Sequence, residues 1–475
     1  MLFNSFNFWL IFPSIFVIYW AVPSKYYVIK KWVLLLVSYL LYMNWKPFFA
    51  GVLLFVSVLT FVGSKQIVGC KQEKKKLLLS VFLILSLLPL VLFKYYNFVN
   101  ESGILLLELC GFHFSLPGLN WAVPVGISFY TFQAVGYMLD VYYGKISPEK
   151  NFTDYLLFCS FFPQTASGPI SRYSELMPQI KSPKPFSYEQ AREGLQILLW
   201  GMFLKVVVAD RLGIYVDTVY EHYEHYSGIT CFVASIFYTF QIYGDFAGYS
   251  LMAVGIAKTL GFDLVNNFER PYLATSITNF WRRWHISLTR WLTSYVYIPL
   301  GGSRCSTVRQ YMNIMVTFLV SGLWHGANWT FVVWGALHGV FQIAEKALGL
   351  DPKGRYAESM LLNRLKPLRI LVTFLLVNLA WIFFRMPTIG DAVGVIERIC
   401  LDRSLDFFYD TKTMITTNVS VLIVVIGKDM LSEYSQVTMM NNHYRYVRWF
   451  TYLLLFFSLL LFGVLDSGQF IYVSF

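Results

Sequence analysis

His325 stands in Ser-Gly-Leu-Trp-His-Gly-Ala-Asn-Trp, Ser321 to Trp329, inside one of the most apolar stretches of the sequence. Ionisable groups in such stretches are costly and tend to mark a pathway or a reaction site. A neutral imidazole in a dry setting is a base suited to taking a proton from a hydroxyl. If one helix ran through this stretch, Ser321 and Trp329, four residues to either side, and Asn328, three beyond, would share the face of His325. Gly322 and Gly326 would let a ligand or another backbone come close. The bland alternative is a packing histidine; these neighbours tip the balance toward function.

His285 is the second candidate. It falls in a stretch, Phe280 to Pro299, that is too polar to span a membrane and rich in Trp and Arg. On a helical wheel Trp281, Trp284, Leu288, Trp291 and Tyr295 form one face, and Arg282, Arg283 and Arg290 another. That pattern predicts an amphipathic helix lying in the membrane interface. His285 then sits at the border of the two faces, and Arg282 and Arg283 would attract an anionic group such as a phosphate. His338 follows His325 by 13 residues, roughly 20 Å along an unbroken helix, so the two share a site only if the helix breaks. A structural role is favoured for His338. His222 and His225 flank Glu221 and Glu224 in a solvated loop, where i, i+3 spacing is weak ground for a metal site. Asp245, in Gln241 to Ser250, is an acid between apolar runs and reads as an architectural group that pairs with an Arg or caps a helix.

The elements that position these groups are membrane helices. Of the 475 residues 56% are hydrophobic and only 14% charged, against roughly 25% charged in soluble domains. Spans need about 20 mostly apolar residues, which gives about ten or eleven helices with some re-entrant pieces. Candidate spans are Phe6–Val22, Trp32–Phe48, Phe49–Ile67, Leu77–Phe93, Trp121–Tyr142, Tyr155–Ala166, Leu195–Ala209, Thr230–Ala257, Tyr311–Phe341, Ile370–Phe384, Asn418–Ile426 and Trp449–Leu465. Tyr311–Phe341 is longer than one span needs and is expected to break near Gly322 or Gly326. Pro163 to Pro169 should break the helix that starts at Tyr155, and such backbone at membrane depth must line protein or a water cavity. The whole chain reads as a single polytopic domain, residues 1–475, with a core over roughly 121–345.

Basic residues set the orientation. Lys25, Lys30 and Lys31 follow the first span, Lys65 to Lys76 the third, and Lys346 to Arg369, including Lys353, a later one; all read as cytoplasmic. Asp391 to Lys412, with Asp402, Asp406 and Asp410, reads as outside, and so does the N-terminus. The net charge of +11 is thus spent on topology. No clustered basic patch on a soluble domain points to nucleic acid. The six cysteines are scattered and read as packing residues, without a disulfide framework or a metal site. No dinucleotide fingerprint, Walker A motif, HExxH helix or Gly-x-Ser-x-Gly elbow is present.

Five segments together resemble a known family: Pro124–Tyr130 with Gln133 and Asp140, Phe162–Arg172, Gln241–Gly255, Asn279–Pro299 and Ser321–Trp334. The chain resembles the membrane-bound O-acyltransferases, in the bacterial branch typified by the membrane subunit of alginate O-acetyltransferase. The resemblance implies an all-α integral membrane fold with helices curved around a central pore. It implies His325 as the catalytic histidine and His285 as a second functional one. Its donor would be a thioester, acetyl-CoA or an acyl carrier, entering from the cytoplasm, with no tightly bound cofactor. The acceptor would be an exported or cell-envelope polysaccharide, reached with a periplasmic or extracellular hydrolase-like partner at the bacterial inner membrane. Where the resemblance leads one to expect an acidic residue after Gly-Tyr-Ser, this chain has Leu251.

The expectation is therefore an O-acyltransferase in which His325 is the general base, with Trp324 and Trp329 walling the site, Asn328 orienting the imidazole or binding the carbonyl, and Ser321 a further substrate-binding residue. His285, Arg282 and Arg283 would guide the donor. Two other readings stay open: a polytopic transporter or export scaffold, which would tend to show internal repeats not seen here, and a D-alanyl transferase fed by a carrier protein.

Overall fold

The computed structural model describes residues 3–113, 116–352, 354–356, 360, 364–409, 411–435 and 440–464. Lys353, Asp410 and Leu465, used above, lie outside them. Among the described residues every regular element is a helix. In chain order these are α1 (Phe6–Ala21), α2 (Tyr27–Met43), α3 (Pro47–Gly69), α4 (Gln72–Leu90), α5 (Tyr96–Leu109), α6 (Ile127–Tyr142), α7 (Phe152–Ser160), α8 (Phe162–Thr165), α9 (Tyr173–Lys181) and α10 (Tyr188–Met202). They continue as α11 (Asp210–Glu221), α12 (Gly228–Thr259), α13 (Ile277–Trp281), α14 (Ile286–Leu292), α15 (Thr307–His325), α16 (Trp329–Ala347), α17 (Lys366–Arg385), α18 (Ile389–Leu401), α19 (Lys412–Tyr434) and α20 (Arg445–Phe462).

Six stretches are long and apolar enough to cross a membrane: Ser24–Met43, Pro47–Gly69, Gln72–Leu109, Lys366–Arg385, Lys412–Tyr434 and Arg445–Phe462. The protein is a multi-pass, all-α membrane protein. Helix α19 runs 23 residues where the apolar run Asn418–Ile426 gave a short piece. Its ends carry Lys412, Lys428 and Glu433, which mask a helix of crossing length. Conversely, the run expected from Trp121 becomes helical only at Ile127.

The chain forms two compact units. The first contains Met1–Leu195 and Ala253–Val265. In it α3 packs on α4, α6 and α7, and Gly63 leaves room for the Phe82 ring, which a Cβ would meet at 2.7 Å. Hydroxyls at depth find partners: Thr60 Oγ1 and Tyr155 Oη lie 2.7 Å apart, Ser64 Oγ and Tyr137 Oη 3.1 Å. The expected break occurs at Phe161, between α7 and α8. Its backbone is buried in protein, as it must be at membrane depth. The side-chain amides of Gln133 and Gln164 donate to the Phe158 carbonyl at 2.7 and 3.1 Å, and the Phe162 N–H donates to Ser38 Oγ at 3.1 Å.

The second unit contains Gln196–Met252 and Asn266–Ile471. Within it the chain of α10 runs on into a π-helical turn, Phe203–Ala209, packed against α12 through Gly201, Gly244 and Gly248. A Cβ on any of these three would come within 2.7–2.8 Å of backbone. Helices α15 and α16 form an antiparallel pair. The contacts step backwards along one helix as they advance along the other: Gly322 faces Phe331, Phe318 faces Gly335 and Met315 faces Gly339. The expected break between the halves of Tyr311–Phe341 is realised at Gly326–Asn328.

Candidate active site

The hairpin of α15 and α16 places His325 on the last residue of α15. Its ring is 1% exposed and lies edge-on against Trp324, Trp334 and Phe384, with centroids 4.9, 4.9 and 5.3 Å away. The fourth neighbour is His285, whose ring centroid is 6.4 Å from that of His325. Phe246 at 4.6 Å and Trp324 at 5.5 Å enclose His285 in turn. Two histidines separated by 40 positions in the sequence, each picked out from its own segment, thus occupy one aromatic enclosure. Buried aromatic faces exclude water and lower the local dielectric, which strengthens any polar interaction made there.

The segment carrying His285 is not the continuous interfacial helix expected from its amphipathic wheel. It is α13, a turn over Arg282–His285, α14, and a π turn over Thr293–Tyr297. His285 itself has φ 43°, a left-handed conformation that costs a residue with a Cβ about 1–2 kcal/mol. The reversal turns Trp281, Trp284 and His285 inward together. His285 is therefore a buried core residue. Wheel periodicity failed because a tertiary contact broke the helix.

The remaining predicted residues separate. Trp324 is 3% exposed and touches both histidine rings, as a wall residue should. Ser321 is buried one turn before His325 and faces a cavity of about 300 Å³. Asn328 is not placed to orient the imidazole. It caps α16, its Oδ1 accepting the Thr330 N–H and its Nδ2 donating to the Pro387 carbonyl, both at 3.0 Å. Trp329, the first residue of α16, is 52% exposed. Both were assigned to the face of His325 on the premise of one helix, and the break at Gly326 removes that premise. Arg282 lines the cavity. Arg283 does not; its guanidinium is held by Glu433 of α19, with Nη2 donating to Oε1 at 3.0 Å and Nη1 to Oε2 at 3.1 Å.

The same break brings His338 near. It shares Trp334 with His325, each imidazole 4.9 Å from that indole. Its Nδ1 accepts the Trp281 indole N–H at 3.3 Å, and its ring stacks on Phe280 and Phe318. This is the packing role favoured for it.

The cavity is bordered by Trp281, Arg282, Leu288, Phe318, Ser321 and Lys346, among others. Ser321 is one turn from His325, and Leu288 one turn from His285. Sequence reading missed the buried ion cluster behind the site. Lys205, fully buried in the π turn, donates to Asp245 at 2.5 Å and to Asp210 at 2.7 Å. Asp245 pairs with this lysine. A lysine inside the apolar run Leu195–Ala209 was the available signal. Asp245 precedes Phe246, the ring against His285, so the cluster fixes the helix turn that supplies one wall.

A profile of the membrane-bound O-acyltransferase family matches residues 146–350, a range that takes in both histidines with Phe246, Trp324 and Trp334. The chain is 35% identical over 395 residues to the probable alginate O-acetylase AlgI of Azotobacter vinelandii, covering 82% of this chain and 76% of that one. The chain belongs to the membrane-bound O-acyltransferase family. The probable alginate O-acetylase AlgI of Pseudomonas aeruginosa is 36% identical over 84% of this chain and 74% of its own. The peptidoglycan O-acetyltransferase of Helicobacter pylori is 37% identical over 68% and 64%. This member of the family is accordingly an enzyme, an O-acyltransferase, and the transporter or scaffold reading is set aside. The family profile ends at residue 350, so Phe384, which packs on His325, and Glu433, which holds Arg283, come from helices beyond it.

Proposed function

We propose that this O-acyltransferase moves an acetyl group from a cytoplasmic thioester, acetyl-CoA or an acyl carrier, to a hydroxyl of an exported or cell-envelope polysaccharide. His325 is the general base. It takes the proton of the acceptor hydroxyl as the oxygen attacks the thioester carbonyl; the C–O bond forms, the C–S bond breaks, and the thiolate leaves and takes up a proton. His285 is the second functional histidine, close enough to address the other side of the reacting centre. The observation that carries the reading is the meeting of His325 and His285 in one water-poor aromatic enclosure, with the cavity ending one helical turn from each. Arg282 and Lys346 border that cavity and suit the phosphate of a pantetheine donor. Lys346 begins a stretch rich in basic residues, the kind that faces the cytoplasm. The named relatives act on alginate or peptidoglycan, which supports a polysaccharide acceptor. A periplasmic hydrolase-like partner at the inner membrane, and an N-terminus facing outward, complete the reading.

The test is label transfer from acetyl-CoA in proteoliposomes, with and without polymer and partner fractions. Label should leave CoA and appear on polymer or partner. Replacement His325→Ala should lower that rate by about 10²–10⁴-fold, the usual worth of a general base, while the protein stays folded in the membrane. Near-normal transfer by the variant removes the base assignment. Transfer of a D-alanyl group from a carrier protein, with acetyl-CoA inert, would replace the acetyl donor.

A further inference from the structure

Among the described residues only Arg270 and His285 combine a side chain beyond Cα with positive φ, 49° and 43°. Such conformations persist where the surroundings over-determine them. Here the two lie on neighbouring strands of one loop knot. The Glu269 N–H donates to the Arg283 carbonyl at 2.9 Å. The Asn267 carbonyl accepts the Ile286 N–H at 3.0 Å, and Asn267 Oδ1 accepts the Ser287 N–H at 3.1 Å. Asn267 is 2% exposed, so these bonds pin the residues just after His285.

The residues just before His285 are pinned from outside the knot. Glu433, near the end of α19, receives the fork of Arg283 on both oxygens. Its Oε2 also takes the Arg270 Nε–H at 2.6 Å. Arg283 Nη1 bonds the Arg270 carbonyl at 3.4 Å as well. One carboxylate thus joins Arg270, itself left-handed, to Arg283, which precedes left-handed His285 by two residues. Glu433 is 16% exposed on its side chain, and charge-assisted bonds in that setting are about twice as strong as neutral ones.

We propose that Glu433 is a positioning residue for acyl transfer: through Arg283 and Arg270 it holds the left-handed turn that directs His285 at His325. The inference rests on the reading of His285 as a functional histidine. It gives helix α19, beyond the family profile, a part in setting the reaction geometry.

The test is steady-state acetyl transfer by the full-length protein in proteoliposomes, normalised to folded protein, for Glu433→Gln, Glu433→Asp and Arg283→Lys. A misplacement of the order of 1 Å at a reacting group can cost about 10²-fold in rate. Glu433→Gln should therefore lower kcat by roughly tenfold to a hundredfold and leave the donor KM near its original value. Glu433→Asp, which keeps the charge, should recover part of the loss. Arg283→Lys should resemble Glu433→Gln, because an ammonium cannot present the two-pronged fork. If Glu433→Gln does not fold, the other two variants decide. Unchanged kcat in Glu433→Gln and Arg283→Lys, or a loss confined to KM, overturns the proposal. His285→Ala run alongside separates the layers. Full activity there removes the underlying reading; loss there with Glu433→Gln unaffected removes this inference alone.

Discussion

Replacing Gly322 by Ala adds one methyl at the point where α15 and α16 cross. Its Cβ would stand 2.3 Å from the Phe331 carbonyl oxygen and 3.1 Å from that carbonyl carbon. Ordinary contact begins near 3.4 Å, so the helices must part by about 1 Å. The obstacle is backbone on both sides and cannot rotate away. Overpacking of this kind costs about 1–3 kcal/mol, against a gain of about 1 kcal/mol from the better helix propensity of Ala. Net stability should therefore fall only slightly. Activity should fall far more, because His325 lies one turn beyond Gly322 and its neighbour Trp334 lies on the opposing helix. A shift of about 1 Å there is expected to lower turnover on the order of 10²-fold. Gly339→Ala is the control: its methyl meets the Met315 sulfur at 2.9 Å, the far part of a flexible side chain, and turnover should hold. The assay pairs acetyl transfer with thermal melting of detergent-solubilised protein. Wild-type turnover in Gly322→Ala, or equal damage in Gly339→Ala, would refute the claim that this crossing sets the position of His325.

Other outcomes follow from the same geometry. Lys205→Met leaves Asp210 and Asp245 buried without their shared cation and should cost about 3–5 kcal/mol of stability; adding Asp245→Asn should recover part of it, and a melting temperature unmoved by Lys205→Met would contradict the cluster. Ser321→Leu fills the end of the cavity nearest His325 and should raise the donor KM, with unaltered donor kinetics counting against the cavity as the donor route. Glu149, in the loop after α6, is pushed up by burial, but the Asn151 N–H, Lys181 and Tyr173 outweigh this and hold its carboxyl below the ordinary value of 4.5. A depressed folded value stabilises the protein above the unfolded value, and that contribution disappears as the pH falls through the folded one. Melting temperature should thus drop on acidification below about pH 4.5, and Glu149→Gln should flatten that limb; an acid limb identical in the variant would assign the loss to other groups.

Much of this architecture was legible in composition and pattern. Apolar runs marked the crossing helices, the over-long run from Tyr311 to Phe341 announced its own break, and Pro163 to Pro169 announced another. His325 and His285 stood out because an ionisable ring among apolar residues needs a reason to be there. Trp324 and Ser321 precede the break and share the helix of His325, whereas Asn328 and Trp329 follow it and do not. Arg283 was expected to guide the donor, but it is held by Glu433, 150 residues away, to which nothing local points. The interfacial helix over Phe280–Pro299 failed for a related reason: wheel analysis assumes unbroken α geometry, whereas the chain turns left-handed at His285, where Asn267 binds the backbone of the next two residues.

The sequence alone determined that the chain lies in the bilayer as helices, which of its rings are out of place in an apolar setting, and two of the places where the backbone breaks, because these follow from local solvation and local sterics. Only the tertiary structure decided which of those rings meet. The distance between His325 and His285, the choice of Lys205 as partner for Asp245 and the tie from Glu433 depend on helix crossings set by close-packed glycines and by long-range ion pairs. Such contacts join residues whose separation along the chain carries no periodic trace.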